Sequence, residues 1–385
     1  MKRAPAAQSA RHPVGDREDW KEYVNGGCRT MRYMAKQLYP YVKLTHRLYP
    51  RITPLSKLRR LLRRECDEAR NSRWSTARVL YRFTLYKLGV RSAGLVWLPV
   101  LGESAIRVRH GYKVFDTQRG LTTKVFGEST RRSVKENEVR LHREINGLAY
   151  APALRGVGEN YDWYSEELLV GNSGHDFAPA ERAAFVDTYH ASIEPLLLSL
   201  LRQQPLEKRP IAPYLEALDN AIATPLTSLR ESHPEVSSKA QKLLQISRRE
   251  LQAAQTECIY ITFAHGDFHL YNIIGEPGKA KLIDWDCKDN LSLLYDLYTY
   301  HFSNMWVGIT QNAKEIGFDF AIRSLSEHLQ ADMPEVAQDL MKNGRLYRLV
   351  YYRERITTFL TRLNSKPKSM RSWLDLYLET ERLDT

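Results

Sequence analysis

Between His265 and Asp286 the chain reads HGDFHLYNIIGEPGKAKLIDWD. These 22 residues hold three aspartates, two histidines and an asparagine among apolar neighbours. Carboxylates set between hydrophobic strands are costly unless positive charge lies beside them. The runs YITFAH and KLIDW read as short strands around GEPG, a turn signal. Asp267 and Asn272 follow the first run, five residues apart, and Asp284 stands near the end of the second. The turn folds one run back on the other, so the three side chains can converge at one mouth. Two carboxylates and an amide oxygen suit Mg²⁺, a hard ion that prefers oxygen ligands and fills its shell from phosphates and water.

The rest of the chain limits where such a mouth can sit. With 385 residues there is length for two or three domains and a sizeable core. The longest apolar run, Ala93 to Leu101, contains Gly94 and Pro99 and is too short to cross a bilayer. The opening MKRAPAAQSARHPVGD is basic but has no apolar core, so no secretory signal is expected. Cys28, Cys66, Cys258 and Cys287 are scattered without a CxxC pair, which suits reduced thiols of a cytoplasmic protein.

Charge divides the chain. Residues 1–91 carry 22 Lys and Arg against 7 Asp and Glu, a net of +15; the remainder carries 35 against 38, a net of −3. The excess marks an N-terminal module over 1–90. From Trp20 to about Arg91 the pattern reads as helical, with Leu58, Leu61 and Leu62 on one face and Leu80 and Phe83 on another. After Gly94 the character changes. AIRVRHGYKVFDTQRGLTTKVF reads as strands, STRRSVKENEVRLHREINGL as a helix and DWYSEELLVG as a further strand. This makes a small β-rich lobe over 91–170. From Pro179 onward the pattern is mostly helical, giving a second lobe over 171–385.

HGDFHLYN resembles the HGDxxxxN catalytic loop of the aminoglycoside phosphotransferase and choline kinase group, and IDWD resembles its metal-binding segment. The resemblance is strong across 261–300, weaker across 104–175, and does not reach 1–90. It implies an α+β, bilobal, protein-kinase-like fold, with a small β-rich N-lobe, a mostly helical C-lobe and here a basic helical N-terminal extension. It implies ATP and Mg²⁺ as cofactors and transfer of a phosphoryl group to an alcohol. Carried over, Asp267 would be the catalytic base, and Asn272 and Asp284 would hold the metal. Lys124 in LTTKVF would touch the ATP phosphates, with Glu138 as its helix partner and Glu136 or Glu144 as fallbacks. Backbone groups near Glu167, Leu168 and Leu169 would receive adenine. His265 and Asp296 would brace the loop, and His269 could touch substrate or pack.

Two departures qualify the resemblance. No GxGxxG phosphate loop is present; Gly102 and Gly111 are isolated. Only 11 residues separate Asp284 from Asp296, too few for an activation segment that holds a peptide. The acceptor expected is therefore a small molecule, a glycan or a glycolipid. The basic stretch 20–91 reads as a solvated helical face, as an attachment to an anionic membrane surface, or as a nucleic-acid contact, which ranks below the membrane. The expected location is cytoplasmic, or peripheral on the inner face of the membrane. A catalytically silent kinase-like scaffold, recruited by the basic arm, is the alternative function.

Overall fold

The structure, a computed structural model, describes residues 102–173, 187–254, 256–276, 278–285, 289–306, 318–361 and 367–383. It also describes segments 40–43, 47–50 and 96–98 and residues 77, 80, 81, 84 and 100. The chain divides into two compact units: residues 1–139 with 154–168, and residues 140–153 with 169–385.

The first unit is built on an antiparallel sheet. Its strands are β1 (Pro40–Lys43), β2 (Arg47–Pro50), β3 (Val96–Trp97), β4 (Ser104–Val108), β5 (Gly111–Asp116), β6 (Leu121–Phe126), β7 (Leu154–Val157) and β8 (Trp163–Glu167). Their order across the sheet is β3-β1-β2-β4-β5-β6-β8-β7. The β5–β6 hairpin turns where Asp116 accepts hydrogen bonds from the N–H groups of Gln118 and Arg119, at 3.1 and 3.0 Å. Gly120 closes the turn at φ 65°, a conformation that costs glycine little. Leu98, Ala105, Val114 and Val125 form a core on this sheet, and Phe126, Val139 and Tyr164 form another.

Two expectations change here. Pro40–Lys43 and Arg47–Pro50 are strands, not helix, and Arg47 and Leu48 pair with Ile106 and Ala105 of β4. The segment YPYVKLTHRLYP is bounded by prolines and holds β-branched and aromatic residues, which suits a hairpin at the sheet. Leu80, expected on an apolar helix face, is helical but exposed, as is Tyr81. The rest of the expected helical extension, Leu58 to Leu62 included, lies outside the described residues.

Helix α1 (Arg132–Glu144) leads from the sheet into the second unit. That unit holds α2 (Glu194–Gln203), α3 (Ile211–Ser232), α4 (Pro234–Ala253), α5 (Tyr295–Trp306), α6 (Phe318–Leu329), α7 (Pro334–Thr361) and α8 (Pro367–Leu383). Two small antiparallel sheets lie among the helices. One is β10 (Glu207–Pro210), β11 (Cys258–Ala264) and β14 (Asp289–Ser292); the other is β13 (Lys281–Leu282), β12 (Ile273–Gly275) and β9 (Asn172–Ser173). Helix α7 is buried without a break from Leu346 to Ile356, and α3, α4 and α6 all pack on it. A helix covered on all sides is a central one. None of the described helices is long and apolar enough to cross a membrane.

Candidate active site

In the first unit, β6 places Lys124 between Lys113 of β5 and Tyr164 of β8. Lys124 is buried, and its ammonium forms an ion pair with Oε1 of Glu138 on α1. The Tyr164 hydroxyl donates to the same oxygen at 2.9 Å. The fallback glutamates point elsewhere: Glu136 pairs with Arg132 at 2.7 Å and Glu144 with Arg140 at 3.8 Å, both at the surface. A buried lysine needs such a partner, because an unpaired charge would be neutralised or would unfold its surroundings.

The expected adenine-binding backbone lies at the end of β8. The N–H of Leu168 donates to the Gly120 carbonyl at 2.8 Å and so closes the β6–β8 ladder. Alternation along the strand then turns the backbone groups of Glu167 away from β6. The Leu168 N–H is thus taken up within the sheet, and the Glu167 backbone faces the β7 side of β8. The β4–β5 hairpin closes through Arg109 and His110, with His110 at φ 66°, so its tip carries no glycine-rich loop.

In the second unit, strand β11 ends at Ala264 and delivers the loop His265 to Asn272. Asp296, in the first turn of α5, accepts from the N–H of His265 at 2.7 Å and from the N–H of Gly266 at 2.9 Å. Burial pushes the Asp296 carboxyl up, against the pull of His265 and of these two bonds. Gly266 stands at φ 83°, a left-handed conformation that explains glycine between His265 and Asp267. The His265 ring is buried, 2.9 Å from the Ile283 carbonyl through Nε2 and edge-on to Trp285 at 4.6 Å. Its Nδ1 accepts from the N–H of Asp267 at 3.3 Å.

Asp267 is half-buried beside His269, whose Nε2 lies 3.3 Å from Oδ2. Burial alone would raise its pKa, but the hydrogen bond and charge of His269, with Arg355 and His265, outweigh it and hold the carboxyl at about 2. Asn272 is buried, and its Nδ2 donates to the Asp267 carbonyl at 3.0 Å, which leaves Oδ1 as its acceptor. The two strand ends are fastened together, since the N–H of Ile283 donates to the Asn272 carbonyl at 2.8 Å. Asp284 follows at φ 60°, a left-handed conformation uncommon outside glycine but tolerated by aspartate. Beneath it, Trp285 is fully buried and stacked on Tyr150 at 5.7 Å. Asp267, Asn272, His265 and Asp296 are thus joined by hydrogen bonds, and Asp284 follows Ile283, whose N–H reaches the Asn272 carbonyl. Asp286 lies outside the described residues.

Sequence reasoning missed Arg355, on α7. Its Nη1 donates to the Gly266 carbonyl at 3.4 Å and to the Tyr295 hydroxyl at 3.2 Å. No local signal could have found it, 89 residues from Gly266 in a helix with several other arginines.

No protein-family model matches the chain, and no curated protein matches its sequence. Similar solved structures include a glucosamine kinase in complex with glucosamine, ADP and inorganic phosphate. That match has 16% identity and a TM-score of 0.46, covering 80% of this chain and 82% of that one. Choline kinase LicA from Streptococcus pneumoniae is similar at 13% identity and a TM-score of 0.40, over 80% of this chain and 98% of that one. Plasmodium vivax ethanolamine kinase is similar at 13% identity and a TM-score of 0.45, over 70% of this chain and 77% of that one.

Proposed function

We propose that the chain is a phosphotransferase that moves the γ-phosphoryl group of ATP, with Mg²⁺, to a hydroxyl of a non-protein acceptor. The observation that carries this reading is the loop around Asp267, a carboxylate kept ionised with Asn272 fastened to its backbone and Asp284 following the strand end tied to Asn272. Among the described residues no group of three His, Cys, Asp or Glu side chains could hold a metal ion. Two hard oxygen donors, Oδ1 of Asn272 and the carboxylate of Asp284, fit Mg²⁺ all the same, because that ion takes few protein ligands and completes its shell from phosphates and water. When bound, Mg²⁺ would neutralise charge on the phosphates.

Each residue then has a task. Lys124, steadied by Glu138, would hold the phosphates, and backbone groups near Glu167, Leu168 and Leu169 would receive adenine. Asp267 would orient the acceptor hydroxyl. A carboxyl at about 2 is a weak base at neutral pH, so it would take the proton late, as the phosphoryl group arrives. Catalysis on this scheme is positioning and electrostatics.

The acceptor argument rests on chain length. After Asp284 the chain is back in a sheet at Asp289, paired with Ala264 of β11, and enters α5 at Tyr295. That return leaves no segment for a peptide to lie along. The acceptor class is a sugar, an amino alcohol, an aminoglycoside or a membrane-linked saccharide. The net +15 of residues 1–91 supports the last of these, with the enzyme cytoplasmic or peripheral on an anionic membrane face. The deciding experiment is a screen of these acceptors for Mg²⁺-dependent ATP consumption, with Asp267→Asn as control. Nucleotide binding without turnover across the whole panel would favour a silent scaffold.

A further inference from the structure

Three arginines of α7 are buried: Arg348, Arg353 and Arg355. Two of them meet a carboxylate. Arg348 pairs with Glu381 at 3.1 Å, and Arg353 pairs with Asp219. Arg355 has no carboxylate within 4.0 Å among the described residues, and its Nε, like that of Arg353, is buried without a hydrogen-bond partner. The guanidinium instead lies over the rings of Phe359 and Trp373, at 5.0 and 5.6 Å. Aromatic faces offset only part of the desolvation of a guanidinium. A fold that built this charge for strength would have paired it, as it paired the other two.

What Arg355 does touch is the catalytic loop. Its Nη1 reaches the carbonyl of Gly266, the residue whose N–H is held by Asp296. Gly266 is thus gripped at both ends by opposite charges, the carboxylate of α5 on its N–H and the guanidinium of α7 on its carbonyl. The same Nη1 donates to the hydroxyl of Tyr295, next to Asp296, which ties the two grips together. The peptide bond that Arg355 holds is the one that leads into Asp267.

We propose that Arg355 is a positioning residue, which fixes the Gly266–Asp267 peptide and so sets the direction of the Asp267 carboxylate. The proposal rests on the reading of Asp267 as the group that meets the acceptor. It does not make Arg355 a catalytic residue, since it acts through Gly266. It explains why the guanidinium has no ion-pair partner within 4.0 Å among the described residues: a closer acid would draw it off the loop.

The test uses the full chain as wild type, Arg355→Met and Arg355→Lys. Four quantities are read: hydrogen exchange of the peptide containing Gly266 and Asp267, turnover of Mg²⁺-ATP with the acceptor found in the screen, ATP affinity, and melting temperature. Arg355→Met is expected to lower turnover at least about tenfold with ATP affinity within about twofold, because an interaction that aligns the transition state is lost. Its melting temperature should change little, since the desolvation of the guanidinium and its attraction to Asp267 are lost together. Exchange in the loop peptide should quicken, and Arg355→Lys should recover part of the turnover. Wild-type turnover and exchange in Arg355→Met would overturn the proposal. So would a lowered melting temperature with parallel losses of turnover and ATP affinity, the mark of a plain structural strut. If Arg355→Met does not fold, Arg355→Lys decides: reduced turnover with intact ATP affinity supports the proposal, and wild-type turnover overturns it. If no acceptor of the screen raises ATP turnover by the wild type, the phosphotransferase reading fails; the exchange measurement still judges Arg355, and an unchanged rate in Arg355→Met sinks it.

Discussion

Lys124 on strand β6 and Glu138 on helix α1 share a buried ion pair, and the Tyr164 hydroxyl takes up the same carboxylate oxygen. The pair links a strand to a helix 14 residues further on and leaves neither charge in water. Lys124→Ala strands the Glu138 charge in the interior. Breaking a buried pair from one side costs about 3–5 kcal/mol. We therefore expect Lys124→Ala to weaken both ATP binding and stability. The double substitution Lys124→Met with Glu138→Leu should regain part of the stability, since the Tyr164 hydroxyl loses its bond to Glu138, but not ATP binding. Calorimetry and nucleotide titration on the two proteins check this, and restored ATP binding in the double variant would remove Lys124 from the nucleotide site.

Asp267→Asn keeps the shape of the side chain and removes its charge. Turnover should fall by orders of magnitude while ATP affinity changes little, because the phosphates are held elsewhere. Steady-state kinetics beside a direct ATP titration separate the two quantities. Equal losses in both, together with a lowered melting temperature, would mean that the carboxylate serves the fold.

Asp284 calls for a different substitution. At φ 60° an alanine would add backbone strain to the loss of the carboxylate, whereas asparagine tolerates the left-handed region. Asp284→Asn is thus the cleaner variant, with fold retained and Mg²⁺-dependent turnover reduced at least about tenfold. The dependence of turnover on Mg²⁺ concentration should shift upward. A variant with the wild-type Mg²⁺ curve would take Asp284 out of the metal site.

Glu354 on α7 gives a pH prediction. Its oxygens accept from the N–H and the hydroxyl of Ser292, both at 2.7 Å, and from the Tyr214 hydroxyl at 2.5 Å. Burial pushes its carboxyl up to about 7, against the pull of these bonds. The folded pKa lies above the ordinary value, so the folded chain holds the proton more tightly. The resulting stability is full below about 4.5 and is lost as pH rises through about 7. Glu354→Gln cannot titrate. Relative to that variant, wild type should lose on the order of 2 kcal/mol between pH 5 and pH 8. Parallel melting curves at several pH values test it; a constant gap would show that Glu354 does not titrate there.

The basic stretch supports a test at membranes. Its net +15 should give binding to anionic vesicles that weakens with salt, since exposed charges are screened over about 8 Å at physiological ionic strength. Removing residues 1–90 is a poor variant for this purpose, because it also strips β1 and β2 from the sheet. Replacing Arg59, Arg60, Arg63 and Arg64 by glutamine lowers the charge and leaves those strands. Co-sedimentation with anionic and neutral vesicles should show binding lost in this variant. Undiminished binding would remove the cluster from the interface.

The parts of the site that sequence made legible are those whose chemistry is local. Asp267 and Asn272 lie within one loop, and GEPG brings IDWD back beside it, so convergence follows from a turn. Lys124 stood out because a lone lysine in an apolar strand needs an anion. Helix phase already favoured Glu138 over Glu136 and Glu144, because at about 100° per residue it lies beside the line of Val134, Leu141 and Ile145 while Glu136 points across the helix, and the ion pair falls on Glu138. The hairpin of β1 and β2 was hidden by basic neighbours that suit a helix equally well. Leu168 looked available to a nucleotide until the Gly120 carbonyl was seen to claim its N–H. Arg355 was invisible for a different reason, as α7 buries its charges inside the fold and its sequence reads like a surface helix.

Three consecutive residues of α7 face three different parts of the second unit. Arg353 bonds α3 and α4 through Asp219 and Ser247, Glu354 holds β14 through Ser292, and Arg355 holds the loop before Asp267. Successive helix positions point about 100° apart, so these side chains fan around more than half of the axis, like spokes on a hub. A hub cannot loosen on one side alone. Heating should release the loop, the small sheet and the neighbouring helices in a single event, with heat inactivation and loss of helical ellipticity following the same curve.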